Sequence, residues 1–228
     1  MGDPHKKFVK DKFDRIVRNY DLVNFLGSFG QDVLWRKEVA RELSSAEPPL
    51  LDLCCGPFTL SKEIHKKNPS PMFALDLSLE MLVYGMRKRA FPGLFPLCGD
   101  AEELPFKDYS FGGISIAFGF RNLTKREKAL SEFYRVLKPG GLLVILEFSR
   151  PTLPVFKSLY RLYLHYFMPL LGGILTGDKE AYQYLANSIE AFPSQEKVCE
   201  MLKKAGFEDI SVKTLTLGVV SLYKGIRR

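Results

Sequence analysis

The stretch Leu50-Leu51-Asp52-Leu53-Cys54-Cys55-Gly56-Pro57-Phe58-Thr59 constrains this chain more than any other. A short apolar run ends in a turn signal, and from Leu60 the apolar residues take up helical spacing. That is the profile of a buried parallel strand running through a loop into a helix. In an open α/β unit of this kind, ligands sit at the carboxyl edge of the strands, where the first strand-to-loop turn brings backbone close to them. Gly56 gives the turn its freedom, having no Cβ to meet a ligand or to oppose positive φ. The dinucleotide fingerprint GxGxxG is not there. Taken alone, the stretch speaks no more strongly for a nucleotide-like ligand than for a plain turn.

The rest of the chain alternates as α/β units do. Strands are predicted over Pro71–Asp76, Leu94–Cys98, Phe111–Phe118 and Leu142–Glu147. Ser78 reads as the N-cap of a helix through Arg89. Lys125–Leu137 reads as a helix closed by Lys138-Pro139-Gly140-Gly141, and Gly99–Phe106 as a loop. Upstream lie a basic amphipathic helix over Lys6–Tyr20 and a second helix, Val33–Leu43, carrying the only tryptophan, Trp35. Pro151–Thr176 is dense in Leu, Tyr and Phe, and reads as a helix broken near Pro169 and followed by a glycine-containing loop. Helices over Glu180–Ala191 and Ser194–Ala205 precede a closing pair of strands, Asp209–Leu217 and Val219–Ile226. The expected fold is therefore α/β, a doubly wound, seven-stranded, mostly parallel sheet with N-terminal helices and a helical insertion before the last two strands. At 228 residues this fits one domain. Within it, 1–45 is a helical cap, 46–150 a ligand-binding core, 151–207 a helical lid and 208–228 the strand pair.

Composition excludes little. The net charge of +7 permits nucleic acid, anionic lipid or acidic partners, but the Lys and Arg are scattered apart from the N-terminal cluster. Cys54 and Cys55, adjacent in a predicted strand, point to opposite faces, and no Cys or His spacing suits a metal. Small buried thiols fit a reducing cytoplasm. The charged first fifteen residues do not read as a signal peptide, and no apolar run reaches the ~18 residues of a spanning helix.

Three acids sit where predicted strands end: Asp52, Asp76 and Asp100. An acid at the end of the second strand, ~20 residues past the glycine turn, can accept both ribose hydroxyls. Asp76 has that position; it could equally cap the helix that begins near Ser78. With Asp100 at the next strand end, an adenosine ligand would lie across three consecutive loops.

Several blocks together resemble one family. They are Asp76-Leu-Ser-Leu-Glu-Met-Leu, Gly99-Asp-Ala-Glu-Glu-Leu-Pro-Phe, Phe118-Gly-Phe-Arg-Asn, Arg135-Val-Leu-Lys-Pro-Gly-Gly and Leu146-Glu-Phe-Ser-Arg-Pro. Outside the core, Tyr20-Asp-Leu-Val-Asn, Trp35-Arg-Lys, Ala181-Tyr-Gln-Tyr-Leu and Ser188-Ile-Glu-Ala-Phe-Pro match too. The chain is similar over nearly its whole length to the S-adenosylmethionine-dependent C-methyltransferases of menaquinone and ubiquinone biosynthesis. The resemblance implies a class I, Rossmann-like methyltransferase fold and S-adenosylmethionine as cofactor. It implies a lipophilic quinol substrate, with methylation of demethylmenaquinol as the expected reaction. Carried over residue by residue, it implies Gly56 and Pro57 beside the methionine moiety, Asp76 on the ribose, Asp100-Ala101 at the adenine and Ala117 bordering the cofactor. Asp52 joins these as the third strand-end acid. On the substrate side it implies Tyr20, Arg121 and Asn122. A peripheral contact with the inner face of the cell membrane and a homodimer both stay open, and no nucleic acid is expected.

Where the family's first loop reads Gly-Thr-Gly, this chain has Gly56-Pro57-Phe58. Phe58 is expected to crowd the pocket, and Pro57 removes a backbone donor. Gly112 stands where most relatives carry an aspartate, and Ala117 where many carry a serine. Arg121 is expected to stabilise a forming phenolate or polarise a water, since a guanidinium does not abstract protons. Asn122 would orient that water or a ring oxygen. Phe156, Leu159, Tyr160, Tyr163, Leu164, Phe167 and Met168 offer an apolar lid for a lipid tail, or plain packing, while Lys6–Arg18 would sit on anionic headgroups. Two rivals remain beside a ubiquinone-precursor methylase. An RNA-base methyltransferase is disfavoured by Ala117–Asn122, which lacks an Asn-Pro-Pro-Tyr-like run. A non-catalytic binding protein on the same fold is motivated by Phe58.

Overall fold

The computed structural model describes residues 3–228. Three helices come first, α1 (Pro4–Ile16), α2 (Tyr20–Gly27) and α3 (Gln31–Glu42). The sheet is built from β1 (Leu50–Leu53), β2 (Met72–Asp76), β3 (Leu94–Cys98), β4 (Phe111–Ala117), β5 (Leu137–Phe148), β6 (Phe207–Leu215) and β7 (Val220–Arg227). Their order is β3-β2-β1-β4-β5-β7-β6. β1 to β5 pair in parallel. β7 is antiparallel to both its neighbours; it reverses on β6 because only the short turn Thr216–Gly218 separates them, too little chain for the crossover a parallel pair needs. The winding reverses between β1 and β4, and the crevice at that switch point is where such sheets bind ligands.

Alternation along the strands feeds two layers. Leu50, Met72, Val144, Leu146 and Val220 pack with α3 and with α4 (Thr59–Lys67). Leu51, Leu53, Ile114, Ile116 and Leu143 pack on the other face with α6 (Arg126–Val136) and α10 (Gln195–Lys204). The predicted cap at Ser78 is present: its hydroxyl accepts the Met81 N–H at 3.0 Å and opens α5 (Leu79–Arg89). Gly112 has a packing reason, since a Cβ there would run into the Glu47 carbonyl oxygen.

Four expectations about the elements need correction. The N-terminal helix ends at Ile16 and Tyr20 opens α2; the Asn19 amide between them bonds the distant Leu175 carbonyl, a tertiary contact that helical spacing does not encode. Cys54 is outside the strand: it turns the chain at φ 50°, so the paired cysteines do not alternate across a pleat. β5 begins at Leu137, and its pairing with β4 jumps from Phe111↔Leu137 to Gly113↔Leu142, which draws Lys138-Pro139-Gly140-Gly141 into the extended run. The helix over 154–176 is not followed by a loop within that span. It runs as α7 (Pro154–Leu162), a π turn over Tyr163–Phe167 and α8 (Met168–Thr176). The widened turn comes just ahead of Pro169, which has no N–H and needs room for its ring. Gly172, expected in a loop, lies in α8 with Tyr182 of α9 (Lys179–Ala191) against it, where a Cβ would collide with the ring.

Candidate active site

A cavity lies over the carboxyl ends of β1 to β4. Gly56, Asp76, Asp100 and Ala101 line it, α1 roofs it with Lys6, Val9 and Phe13, and Ala117 and Asn122 close its far side. Asp76 accepts the Gly56 N–H through one oxygen and the Ser78 N–H through the other, each at 2.8 Å. Burial raises its pKa and these backbone donors oppose the rise. One lone pair on each oxygen is left for a pair of hydroxyls. Asp100 accepts the Glu102 N–H at 2.8 Å and the Lys6 ammonium at 2.6 Å. Gly56, at φ 54°, has nothing within 4 Å of a would-be Cβ. These residues fit a nucleoside carrying a vicinal diol.

Phe58 does not crowd this cavity, contrary to expectation. At φ 62° it turns its ring away, fully buried among Cys55, Ala74, Leu82 and Leu94. Gly85 in α5 makes room: a Cβ there would stand 2.6 Å from the ring. Pro57 borders a smaller recess at the start of α4, together with Asp52, Thr59 and Ala117. Asp52 lies on its floor, accepting the hydroxyls of Ser61 (2.5 Å) and Ser115 (2.7 Å). Burial pushes its carboxyl up to about 6, against those two hydroxyls.

A third, largely apolar chamber lies under the cap, lined by Trp35, Arg36, Arg121, Tyr160, Tyr163 and Ile189 among others. Phe13, Tyr20 and Phe118 border both this chamber and the cavity over the strand ends, so they form the partition between them. Burial raises the Tyr20 phenol while Arg36 and Arg121 oppose the rise, so Tyr20 stays protonated at neutral pH. Of the proposed lid, Tyr160, Tyr163, Leu164 and Met168 line the chamber, whereas Leu159 and Phe167 face outward. Arg121 and Asn122, neighbours in the chain, part company: Arg121 borders the chamber under the cap and Asn122 the cavity over the strand ends. Asn122 accepts the Tyr184 hydroxyl at 3.1 Å.

Arg121 is held rigidly. Nη1 donates to Glu147 at 2.9 Å and to the Phe118 carbonyl, Nε donates to Ser188 at 3.2 Å, and the group lies 5.4 Å from the Phe148 ring centre. Glu147, wholly buried, also accepts the backbone N–H of Arg121 at 3.0 Å. Among the described residues Nη2 has no partner. Glu147, Ser188 and Arg36 fall within stretches that carry the family resemblance, but none was given a site role from sequence. The signal for Glu147 is a lone acid ending the apolar run Leu142-Leu-Val-Ile-Leu, a position tolerated in a buried strand only when paired.

Three lysines of the basic helix are used within the fold. Lys6, Lys10 and Lys12 are committed to ion pairs with Asp100 and Glu102, Asp14, and Asp178 and Glu180. The Lys6 and Lys12 pairs fasten α1 over the two chambers, the Lys10 pair lies within the helix, and Lys7, Arg15 and Arg18 stay exposed.

Comparison with known proteins adds the following. A family model described as the ubiE/COQ5 methyltransferase family matches residues 1–227. A demethylmenaquinone methyltransferase of Streptomyces avermitilis is 41% identical over 225 residues, 98% of this chain and 95% of that one. A ubiquinone/menaquinone biosynthesis C-methyltransferase of Rickettsia felis is 40% identical over 228 residues, 96% of this chain and 92% of that one. Among solved structures, an S-adenosylmethionine-dependent methyltransferase of Thermotoga maritima superposes with TM-score 0.68 at 21% identity, over 96% of this chain and 100% of that one. Human N-acetylserotonin methyltransferase, solved with S-adenosylmethionine, gives 0.62 at 17%, over 90% of this chain and 55% of that one. These two likenesses establish the fold as that of the class I methyltransferases.

Proposed function

Because the chain belongs to the ubiE/COQ5 methyltransferase family, we propose that it methylates a ring carbon of reduced demethylmenaquinone with S-adenosylmethionine as donor. The observation that carries this reading is the pair of chambers with one shared wall, one lined by strand-end acids and the other by aromatic and aliphatic side chains around Arg36 and Arg121. Bound S-adenosylmethionine supplies an electrophilic methyl on a sulfonium. Asp76 holds the ribose hydroxyls, Gly56 lets the donor approach the turn, and Asp100 and Ala101 sit at the base.

The chain's own task is to position the quinol and stabilise its anion once water has taken the phenolic proton; after the methyl transfers, the displaced ring-carbon proton restores the hydroxyl through water. A phenol ionises near pH 10 in water, and its anion places charge on the neighbouring ring carbon. Arg121 borders the apolar chamber with its Nη2 unpaired among the described residues, and low polarity there strengthens its attraction for a phenolate. Glu147, Ser188 and the Phe118 carbonyl hold the group in place, so little reorganisation is needed when charge forms. Tyr20, kept neutral, walls the passage between chambers and holds ring and methyl in line. Asn122, on the donor side and bonded to Tyr184, orients a ring oxygen at the wall.

The quinol's tail would come from a bilayer. No helix among the described residues is long and apolar enough to cross a membrane. The α7–α8 rod instead exposes Val155, Leu159, Leu162, Tyr166, Leu170 and Ile174 along one stripe, with Phe29 stacked on Phe167 at 6.4 Å. Arg150, Lys157 and Arg161 flank it, which suits anionic headgroups. This face is the peripheral membrane surface of the proposal. Liposome flotation with and without anionic lipid should show binding that Leu159→Ser with Leu162→Ser and Ile174→Ser removes. A dimer in solution with no flotation would assign the face to a second copy instead.

An assay with labelled donor and the reduced precursors of menaquinone and ubiquinone tests the reaction itself. Arg121→Ala is expected to lower turnover at least a hundredfold with donor affinity, read by calorimetry, within about twofold. Unchanged turnover would remove Arg121 from the chemistry.

A further inference from the structure

Tyr20, Tyr160, Tyr163, Tyr182 and Tyr184 all line the chamber under the cap, and they differ in what their hydroxyls do. Tyr184 donates to Asn122 at 3.1 Å. Tyr163 donates to the Gly27 carbonyl, with the Met168 sulfur 2.8 Å away. Tyr160 spends nothing. It is 9% exposed, its oxygen is out of reach of solvent, and among the described residues that oxygen has no hydrogen-bond partner. A buried hydroxyl left unpaired is costly, and the reaction proposed above makes no use of this one.

Its neighbours indicate what would use it. Burial raises the Tyr160 pKa, Tyr163 adds to the rise and Arg121 opposes it. The phenol therefore stays a donor at neutral pH, and it lies within the field of Arg121. Its ring also heads a run of stacked aromatic rings. Tyr160 lies 6.2 Å from Tyr163 at 15°, Tyr163 lies 5.3 Å from Phe167 at 24°, and Phe167 lies 6.4 Å from Phe29. Phe167 and Phe29 are exposed, so the run leads out of the chamber to the outer face of the α7–α8 rod. The two oxygens of a quinol ring are para to each other. One stands beside the carbon that takes the methyl, the other beside the carbon that carries the tail. With the first at Arg121 and the tail laid along the stacked rings, the second falls to Tyr160.

We propose that Tyr160 donates a hydrogen bond to the quinol oxygen beside the tail, and so selects rings that carry both oxygens. This rests on the reduced-quinone substrate proposed above, and it makes Tyr160 a binding and specificity residue for it. A ring without that oxygen would leave the phenol buried and unpaired, which is how a site built for a hydroxyl rejects an analogue lacking one. The Tyr182 hydroxyl is buried and unpartnered too. Its ring, however, packs against Gly172 and next to Thr176, where α8 meets α9, which makes it the control.

The test compares a geranyl-substituted naphthalenediol with the naphthol that lacks only the hydroxyl beside the tail. Calorimetry on the full-length chain, oxygen-free with a reductant and with S-adenosylhomocysteine present, reads both affinities. The parent should prefer the diol. Tyr160→Phe should cut that preference about 5- to 30-fold, the worth of one buried hydrogen bond, and Tyr182→Phe should keep it within twofold. Tyr160→Phe should also resist urea at least as well as the parent, because the hydroxyl it loses holds nothing in the free protein. A preference within twofold of the parent's in Tyr160→Phe, its loss through Tyr182→Phe instead, or a less stable Tyr160→Phe would each overturn the assignment. A parent that binds neither compound would instead overturn the quinol reading, so the two failures are distinguishable.

Discussion

Replacing Gly85 by alanine puts a methyl group where the Phe58 ring already stands. The new carbon would lie 2.6 and 2.7 Å from two ring atoms and 2.9 Å from the Pro57 carbonyl carbon, against about 3.5 Å for a relaxed carbon contact. An overlap of about 0.9 Å with a fully buried ring and a backbone atom puts the cost near the upper end of the over-packing range, about 3 kcal/mol. Alanine returns about 1 kcal/mol through its better helix propensity, leaving a net loss of about 2 kcal/mol, or roughly 4–8 °C in a chain this long. In a Phe58→Gly background the ring is gone and glycine accepts φ 62° freely. There Gly85→Ala should show only its helical gain, so the coupling between the two sites is about 3 kcal/mol. Phe58→Gly alone leaves a cavity and is expected to cost about 3–5 kcal/mol. Urea denaturation of the parent, both single variants and the double variant closes the cycle. A neutral Gly85→Ala, or additive effects, would mean that Gly85 does not shelter the ring, and the account of how Pro57-Phe58 is tolerated would fall.

Asp52 makes stability depend on pH. Its folded pKa of about 6 lies above the usual 3.8, so its contribution is full below about pH 3.8 and lost as pH rises through about 6. The difference, 6 − 3.8 or about 2.2 units at 1.36 kcal/mol each, is about 3 kcal/mol as an order of magnitude. Asp52→Asn should flatten the stability profile between pH 4 and 7 and gain on the parent at pH 8; an unchanged slope in denaturant titrations would refute this. Lys6 ties the α1 roof to Asp100 and Glu102, and the donor has to pass beneath that roof. Lys6→Ala should speed association of S-adenosylhomocysteine about 5- to 30-fold, the equivalent of a part-buried pair of about 1–2 kcal/mol. Stopped-flow at rising salt should accelerate the parent and leave the variant nearly unaffected.

The one-dimensional pattern of this chain was enough for its architecture. Apolar runs ending in Asp52, Asp76 and Asp100, the cap at Ser78 and the alternation of β1 to β4 are local signals, each written in a few consecutive residues. They are sufficient because strand and helix periods, and the binding edge of a wound sheet, follow from local geometry. Side-chain direction at the left-handed turns was not legible. Phe58 turns inward only because Gly85, far along the chain, leaves the space. Arg121 and Asn122 occupy different chambers because a short 3₁₀ turn aims consecutive side chains apart, and the lysines of α1 found partners up to 168 residues away. Those outcomes depend on which distant surfaces meet. Burial and charge pairing are properties of that meeting, and a local reading contains no term for them.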